Sequence, residues 1–167
     1  MFEVGDYIVY GSNNVCKVEE IGKMDFQEPS NEREYYLLVP IYAPASKVFT
    51  PTDNNKVAMR PVMTPKEAWA LLDEVKDIEA LEIADFRRKE ETYKQAMRSC
   101  KCREWVKVIK MVYGLREERK AEGKKMTASD EKYFNLAKEE LNKELAFVLN
   151  MPKEEVEPLI LEKIKLA

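Results

Sequence analysis

At 167 residues, with 45% hydrophobic and 35% charged side chains, the chain reads as one medium globular domain or two small ones rather than a disordered segment. No apolar run approaches the length of a membrane span and no signal-peptide pattern opens the sequence, so a soluble cytoplasmic protein without a membrane partner is expected. Three cysteines, Cys16, Cys100 and Cys102, and no histidine argue against a secreted disulfide framework and against a zinc site.

The net charge of −3 is unevenly spread. Residues 86–125 hold 14 Lys and Arg against 6 Asp and Glu, a net +8, whereas residues 63–85 hold 2 against 7, a net −5. A local excess of this kind either faces a polyanion or is the solvated side of a long helix, and charge alone leaves both open.

Residues 1–62 are predicted to form a small β-domain. DYIVY and NVCKVEEI are rich in β-branched and aromatic residues, with a turn at Gly11–Asn14 between them. KMDFQEPSNERE, containing Pro29, Ser30 and Asn31, reads as a hairpin loop. REYYLLVPIYA follows as a third strand buried on both faces, SKVFTP as a fourth ended by Pro51, and AMRPV as a short fifth. Five short strands in this length fit an SH3-like or Tudor-like barrel, whose open strand edges invite partners by strand addition.

From Thr64 onward the pattern turns helical, making the fold class α+β. Thr64, Pro65 and Glu67 form a capping box with proline in the first helical position, and Ala68, Leu71, Leu72 and Val75 give the apolar face. An acidic connector, VKDIEALEIAD, leads to Asp85, the expected cap of FRRKEETYKQAMRS, with Phe86, Tyr93 and Met97 on one side. The longest periodic stretch runs from Trp105 to Leu149. Trp105, Val108, Ile109, Val112 and Leu115 make one stripe; Phe134, Ala137, Leu141, Leu145 and Val148 make another. Gly123 is the expected stop of the first helix and Thr127 the cap of the second, with Asp130 in its first turn. Asn150 ends that helix, and Pro152 opens a last one with Val156, Leu159, Ile160 and Ile164, interrupted by Pro158.

Catalytic patterns are missing: no histidine, no phosphate-binding glycine loop, no G-x-S-x-G and no metal-ligand spacing. Glu90-Glu91 and Glu139-Glu140 read as solvated helix faces, and Trp69 and Trp105 as core. The expectation is a binding protein with no catalytic residues, cofactor or metal.

Both halves resemble the CarD/CdnL family of bacterial transcription regulators. The N-terminal likeness runs through FEVGDYIVYG at Phe2–Gly11, the paired tyrosines of YYLL, and VFTPTDN at Val48–Asn54. The C-terminal likeness lies in Tyr93-Lys94, IKMVYGLREERKAEGKKMTASDEKY and AKEELNKELA. The resemblance implies a Tudor-like domain, residues 1–62, that docks on the β subunit of RNA polymerase. It further implies a helical domain, residues 63–167, that contacts promoter DNA at the upstream edge of the transcription bubble and modulates the open complex. Where the family often has an arginine, this chain has Phe49; with Lys47, and Lys23 and Met24 expected on the neighbouring strand, it forms the candidate polymerase-binding set. Where the family places a wedge tryptophan, Glu82–Lys89 has none, and Phe86 is either its replacement or a core residue. The candidate DNA-binding set is Phe86, Arg87, Arg88, Lys89, Lys94, Arg116, Arg119, Lys120, Lys124 and Lys125. DNA contact is expected to be weak and independent of base sequence, and the protein monomeric and nucleoid-associated. The competing expectation is a protein–protein adaptor of the same fold that does not touch DNA.

Overall fold

A computed structural model describes residues 1–25 and 32–165. The chain separates into two compact units, Met1–Val62 and Met63–Ala167. The architecture is α+β, with five antiparallel strands followed by five α-helices among the described residues.

In the first unit the strands are β1 (Tyr7–Tyr10), β2 (Val15–Gly22), β3 (Tyr35–Pro40), β4 (Val48–Pro51) and β5 (Met59–Pro61). They pair in the order β4-β3-β2-β1-β5, a meander whose last strand returns to pair with the first, as the expected small barrel requires. The β1–β2 connection turns on two left-handed residues, Gly11 at φ 46° and Asn14 at φ 58°. A side chain at Gly11 would also collide with Val57, its Cβ only 2.7 Å from Cγ1, so glycine is required twice over. The core gathers Ile8, Tyr10, Cys16, Val18, Tyr36 and Leu38, with Phe2, Ile21, Val48 and Met59 packed against it. In β3 the consecutive residues Tyr36, Leu37 and Leu38 are all buried, the two-sided burial that its unbroken apolar run implied. Pro29, Ser30 and Asn31, read as a loop, lie outside the described residues.

The second unit contains α1 (Pro65–Glu74), α2 (Lys89–Arg98), α3 (Cys102–Ala121), α4 (Ala128–Leu149) and α5 (Lys153–Lys165). The capping box of α1 is complete: Glu67 N donates to Thr64 Oγ1 at 3.2 Å and Thr64 N to Glu67 Oε2 at 2.8 Å. At its other end, the Lys110 ammonium of α3 donates to the carbonyls of Val75 (2.7 Å), Lys76 (3.2 Å) and Ile78, closing acceptors that the helix leaves open. Burial pushes the Lys110 pKa down, opposed by the charge of Asp77. Helix α3 ends at Gly123, φ 71°, with Lys124 N reaching back to Arg119 O at 2.8 Å. Thr127 caps α4, accepting from Asp130 N at 3.1 Å, and Asn150 ends α4 in the left-handed conformation. Helix α5 continues through Pro158. None of the described helices is long and apolar enough to cross a membrane.

Helix α4 is the centre of this unit, packing against α1, α2, α3 and α5. That encirclement corrects the reading of Glu139-Glu140 as a solvated pair. Glu140 is buried, and one turn further on Glu144 is 0% exposed. A helix with neighbours on four sides has little solvated face left. Glu144 accepts from Met63 N at 3.1 Å and from Cys102 Sγ at 2.9 Å. All three cysteines are buried and outside any disulfide. Trp105 is buried as expected, but Trp69 is 50% exposed. It sits one position, about 100° of helix, past Ala68, outside the face set by Ala68, Leu71 and Leu72.

Candidate functional site

The first unit offers an edge. β4 pairs with β3 on one side only and ends the strand order. Its side chains alternate as a half-buried strand must: Val48 packs on the core, Phe49 is 42% exposed, and Thr50 is buried. Phe49 therefore stands on the face away from the core, and Lys47 lies exposed just ahead of it. The opposite edge, β5, is three residues long and ends in Pro61, which blunts it. Lys23 and Met24 do not stand on the strand beside β4. They follow β2, and β3 lies between, because the chain turns back strand by strand and β2 is already paired on both sides. Lys23 is exposed and Met24 half-buried.

The second unit offers a basic end. Asp85 caps not an α-helix but a 3-10 turn, Phe86–Arg88, accepting from Arg87 N at 2.9 Å. The altered periodicity takes Phe86 off the side of Tyr93 and leaves it 64% exposed, so it is not a core residue; Met97 is only half-buried. Arg87 and Arg88 are exposed beside Phe86. Lys89 is different. Its side chain is 14% exposed and its ammonium spans both oxygens of Asp130, at 2.8 and 3.0 Å. Lys94 lies 3.8 Å from Glu90, one turn back on α2. The remaining cations lie at the end of α3 and in the turn to α4. Arg116 covers the Phe134 ring at 4.5 Å, Arg119 donates to the Lys125 carbonyl at 3.2 Å, and Lys124 pairs with Glu122 at 3.1 Å. Lys120 and Lys125 are exposed.

Between these two basic segments sits a polar network that sequence reasoning missed. Asp130, 0% exposed, accepts from Tyr93 OH at 2.9 Å as well as from Lys89. The Tyr93 ring lies 5.3 Å from that of Tyr133, which donates to Glu90 at 3.4 Å. Burial alone would raise the Asp130 pKa, but the hydrogen bonds from Lys89, Thr127 and Tyr93 outweigh it and hold the carboxyl below its ordinary value. Burial first, and then Asp130, push the Tyr93 phenol far up, opposed by the charge of Arg119. The partners lie 37 and 41 positions apart, and an aspartate after a threonine cap carries no mark beyond its helix-start role.

An edge strand carrying an exposed aromatic in one unit and a cationic helical surface in the other are the equipment of an interaction protein. Residues 2–63 match the model of the CarD-like/TRCF RID domain. The match spans nearly the whole of the first unit, which is thus similar to that domain along its length. The match leaves residues 64–167 uncovered. No curated protein matches the chain.

Proposed function

We propose that the protein is a transcription regulator that docks on the RNA polymerase β subunit through the β4 edge and contacts promoter DNA through the basic end of its helical unit. The observation that carries this reading is the domain match coinciding with an exposed edge strand bearing Phe49. Strand addition supplies backbone hydrogen bonds, and Phe49 with Lys47 supplies selectivity. The DNA contact lies near the upstream edge of the bubble, where an exposed Phe86 serves as an apolar wedge against an unstacked base step and the surrounding cations neutralise phosphates. Affinity is weak alone and indifferent to base sequence, because phosphate contacts position a protein without reading bases. Preference for one state of the polymerase–promoter complex then shifts that complex's equilibrium without any catalytic group. The protein acts as a monomer in the cytoplasm, at the nucleoid.

The docking test is a pull-down of the β-subunit lobe by the full-length protein. Phe49→Asp, alone and with Lys47→Glu, should weaken capture strongly. Phe49 points away from the core, so circular dichroism should be unchanged. Full retention of capture by the folded double variant would move the interface elsewhere.

One observation favours a second reading, an adaptor that leaves DNA alone: Lys89, Lys94 and Lys124 already face carboxylates. Titration of labelled duplex decides between the two.

A further inference from the structure

The network between the two basic segments does not itself face DNA. Asp130 and Tyr93 are buried, and Lys89 nearly so. Its position in the fold explains it better than its energy does. A buried ion pair contributes little net stability compared with apolar side chains of the same volume. What it supplies is direction, since hydrogen bonds fix geometry where apolar contacts slide. Asp130 belongs to the first turn of α4, immediately after the basic turn with Lys124 and Lys125. Lys89 is the first residue of α2, immediately after the Phe86–Arg88 turn, and Tyr93 lies one turn on. A single carboxylate therefore holds the residue next to the aromatic wedge and, through its own helix, the residues next to the α3–α4 cations. Arg119 completes the link. Its guanidinium binds the Lys125 carbonyl, and its charge is felt at the Tyr93 phenol.

We infer that Asp130 is the positioning residue of the DNA-facing surface, holding Phe86, Arg87 and Arg88 in register with the cations of the α3–α4 turn through Lys89 and Tyr93. The inference rests on the DNA reading proposed above and adds to it which buried residue sets the wedge. The surface residues meet the ligand; Asp130 decides where they stand. A 3-10 turn has few hydrogen bonds of its own, and Asp85 satisfies one N–H of this one. Its placement therefore depends on where the start of α2 is held.

The test uses the full-length protein with Asp130→Asn, which keeps the side chain's shape and removes its charge. Two measurements are made on folded protein: amide hydrogen exchange over residues 86–93, and the ratio of fork-junction to plain-duplex affinity by fluorescence anisotropy. Exchange over residues 86–93 should quicken while that of α5 keeps its rate. The fork preference should fall to that of Phe86→Ala, and adding Asp130→Asn to Phe86→Ala should lower it no further. A purely structural role would lower the melting temperature without touching the ratio. Should Asp130→Asn not fold, Tyr93→Phe, which keeps the ring and loses the donor, takes the same two measurements. Exchange unchanged over residues 86–93 overturns the inference, as does an intact fork preference in a folded variant. Absence of any fork preference in the wild type, with Phe86→Ala silent, would instead refute the wedge. In that case the exchange measurement still decides whether Asp130 holds the turn.

Discussion

Reversing the charge of Arg87 and Arg88 together is the most informative change to the basic surface. Of its nine cations, Lys89, Lys94 and Lys124 are engaged by Asp130, Glu90 and Glu122. Arg87, Arg88, Arg116, Arg119, Lys120 and Lys125 remain; Arg116 and Arg119 make only a ring contact and a carbonyl hydrogen bond, which leave their charge uncancelled. Roughly four to five of these six meeting phosphates gives a log–log salt slope of about −3.6 to −4.5. Raising salt from about 50 to about 200 mM should then weaken binding roughly 150- to 500-fold. Arg87→Glu with Arg88→Glu removes two contacts, so the slope should shrink to about −1.8 to −2.7 and the same salt step should cost only about 12- to 40-fold. Both side chains are exposed, so stability should change by no more than about 0.5 kcal/mol for each. The assay is fluorescence anisotropy of a labelled duplex over a salt series. New repulsion from the introduced glutamates lowers affinity at every salt concentration, so the diagnostic quantity is the slope. An unchanged slope in a folded variant would make the segment a solvated face and leave the adaptor reading standing.

Glu144→Leu removes a buried acceptor from Met63 N and Cys102 Sγ and should destabilise the helical unit by about 1–3 kcal/mol in urea titration; an unaltered midpoint would mean those donors find other partners. Asp130 has a folded-state pKa below its ordinary 3.8, so its stabilisation is fully present above that value and is lost as pH falls through the folded pKa. Asp130→Asn should therefore flatten the acid limb of the stability curve below about pH 4, and an acid limb of wild-type steepness would show that the carboxylate's bonds contribute nothing. Phe49→Asp should strongly weaken capture of the β lobe and leave the salt slope on DNA untouched; loss of both would mark a folding defect instead.

Much of the fold was legible because its signals are local. The first four strands are rich in β-branched or aromatic residues and bounded by glycine, asparagine or proline, and the capping box at Thr64 and the cap at Thr127 need only their own four residues. What was not legible depends on neighbours. The solvated or buried state of Glu140 and Glu144 is set by how many helices surround α4, and nothing in α4's own pattern counts them. Asp85 caps a 3-10 turn as readily as an α-helix, so the sequence could not say which way Phe86 would face. Trp69 reads as core when placed on the helical stripe, yet it falls one position outside the face that Ala68, Leu71 and Leu72 define. The distance between Lys23 and β4 follows from strand order, which pairing decides. At the basic surface the residue types were legible, but the pairing of Lys89 with Asp130 was not, because the two lie 41 positions apart.

Three polar groups of the helical unit, half-buried Lys110 and buried Asp130 and Glu144, each reach a point where the chain enters or leaves a helix. Lys110 closes the end of α1, Glu144 takes the Met63 amide ahead of α1 and the thiol of the first residue of α3, and Asp130 takes the first residue of α2. The long apolar stripes of α3 and α4 drive burial, but apolar contacts alone allow sliding between neighbouring packings. Charge-assisted hydrogen bonds at the joints do not, because each demands a partner within about 3 Å. A regulator without catalytic groups can act only through the difference in its affinity for two states of its target. A surface that re-forms around whatever it meets loses that difference to the cost of ordering itself. On the proposed DNA reading, fixing helix ends with charged groups keeps the basic surface the same before and after contact, which is what discrimination between a closed and an opened duplex would require.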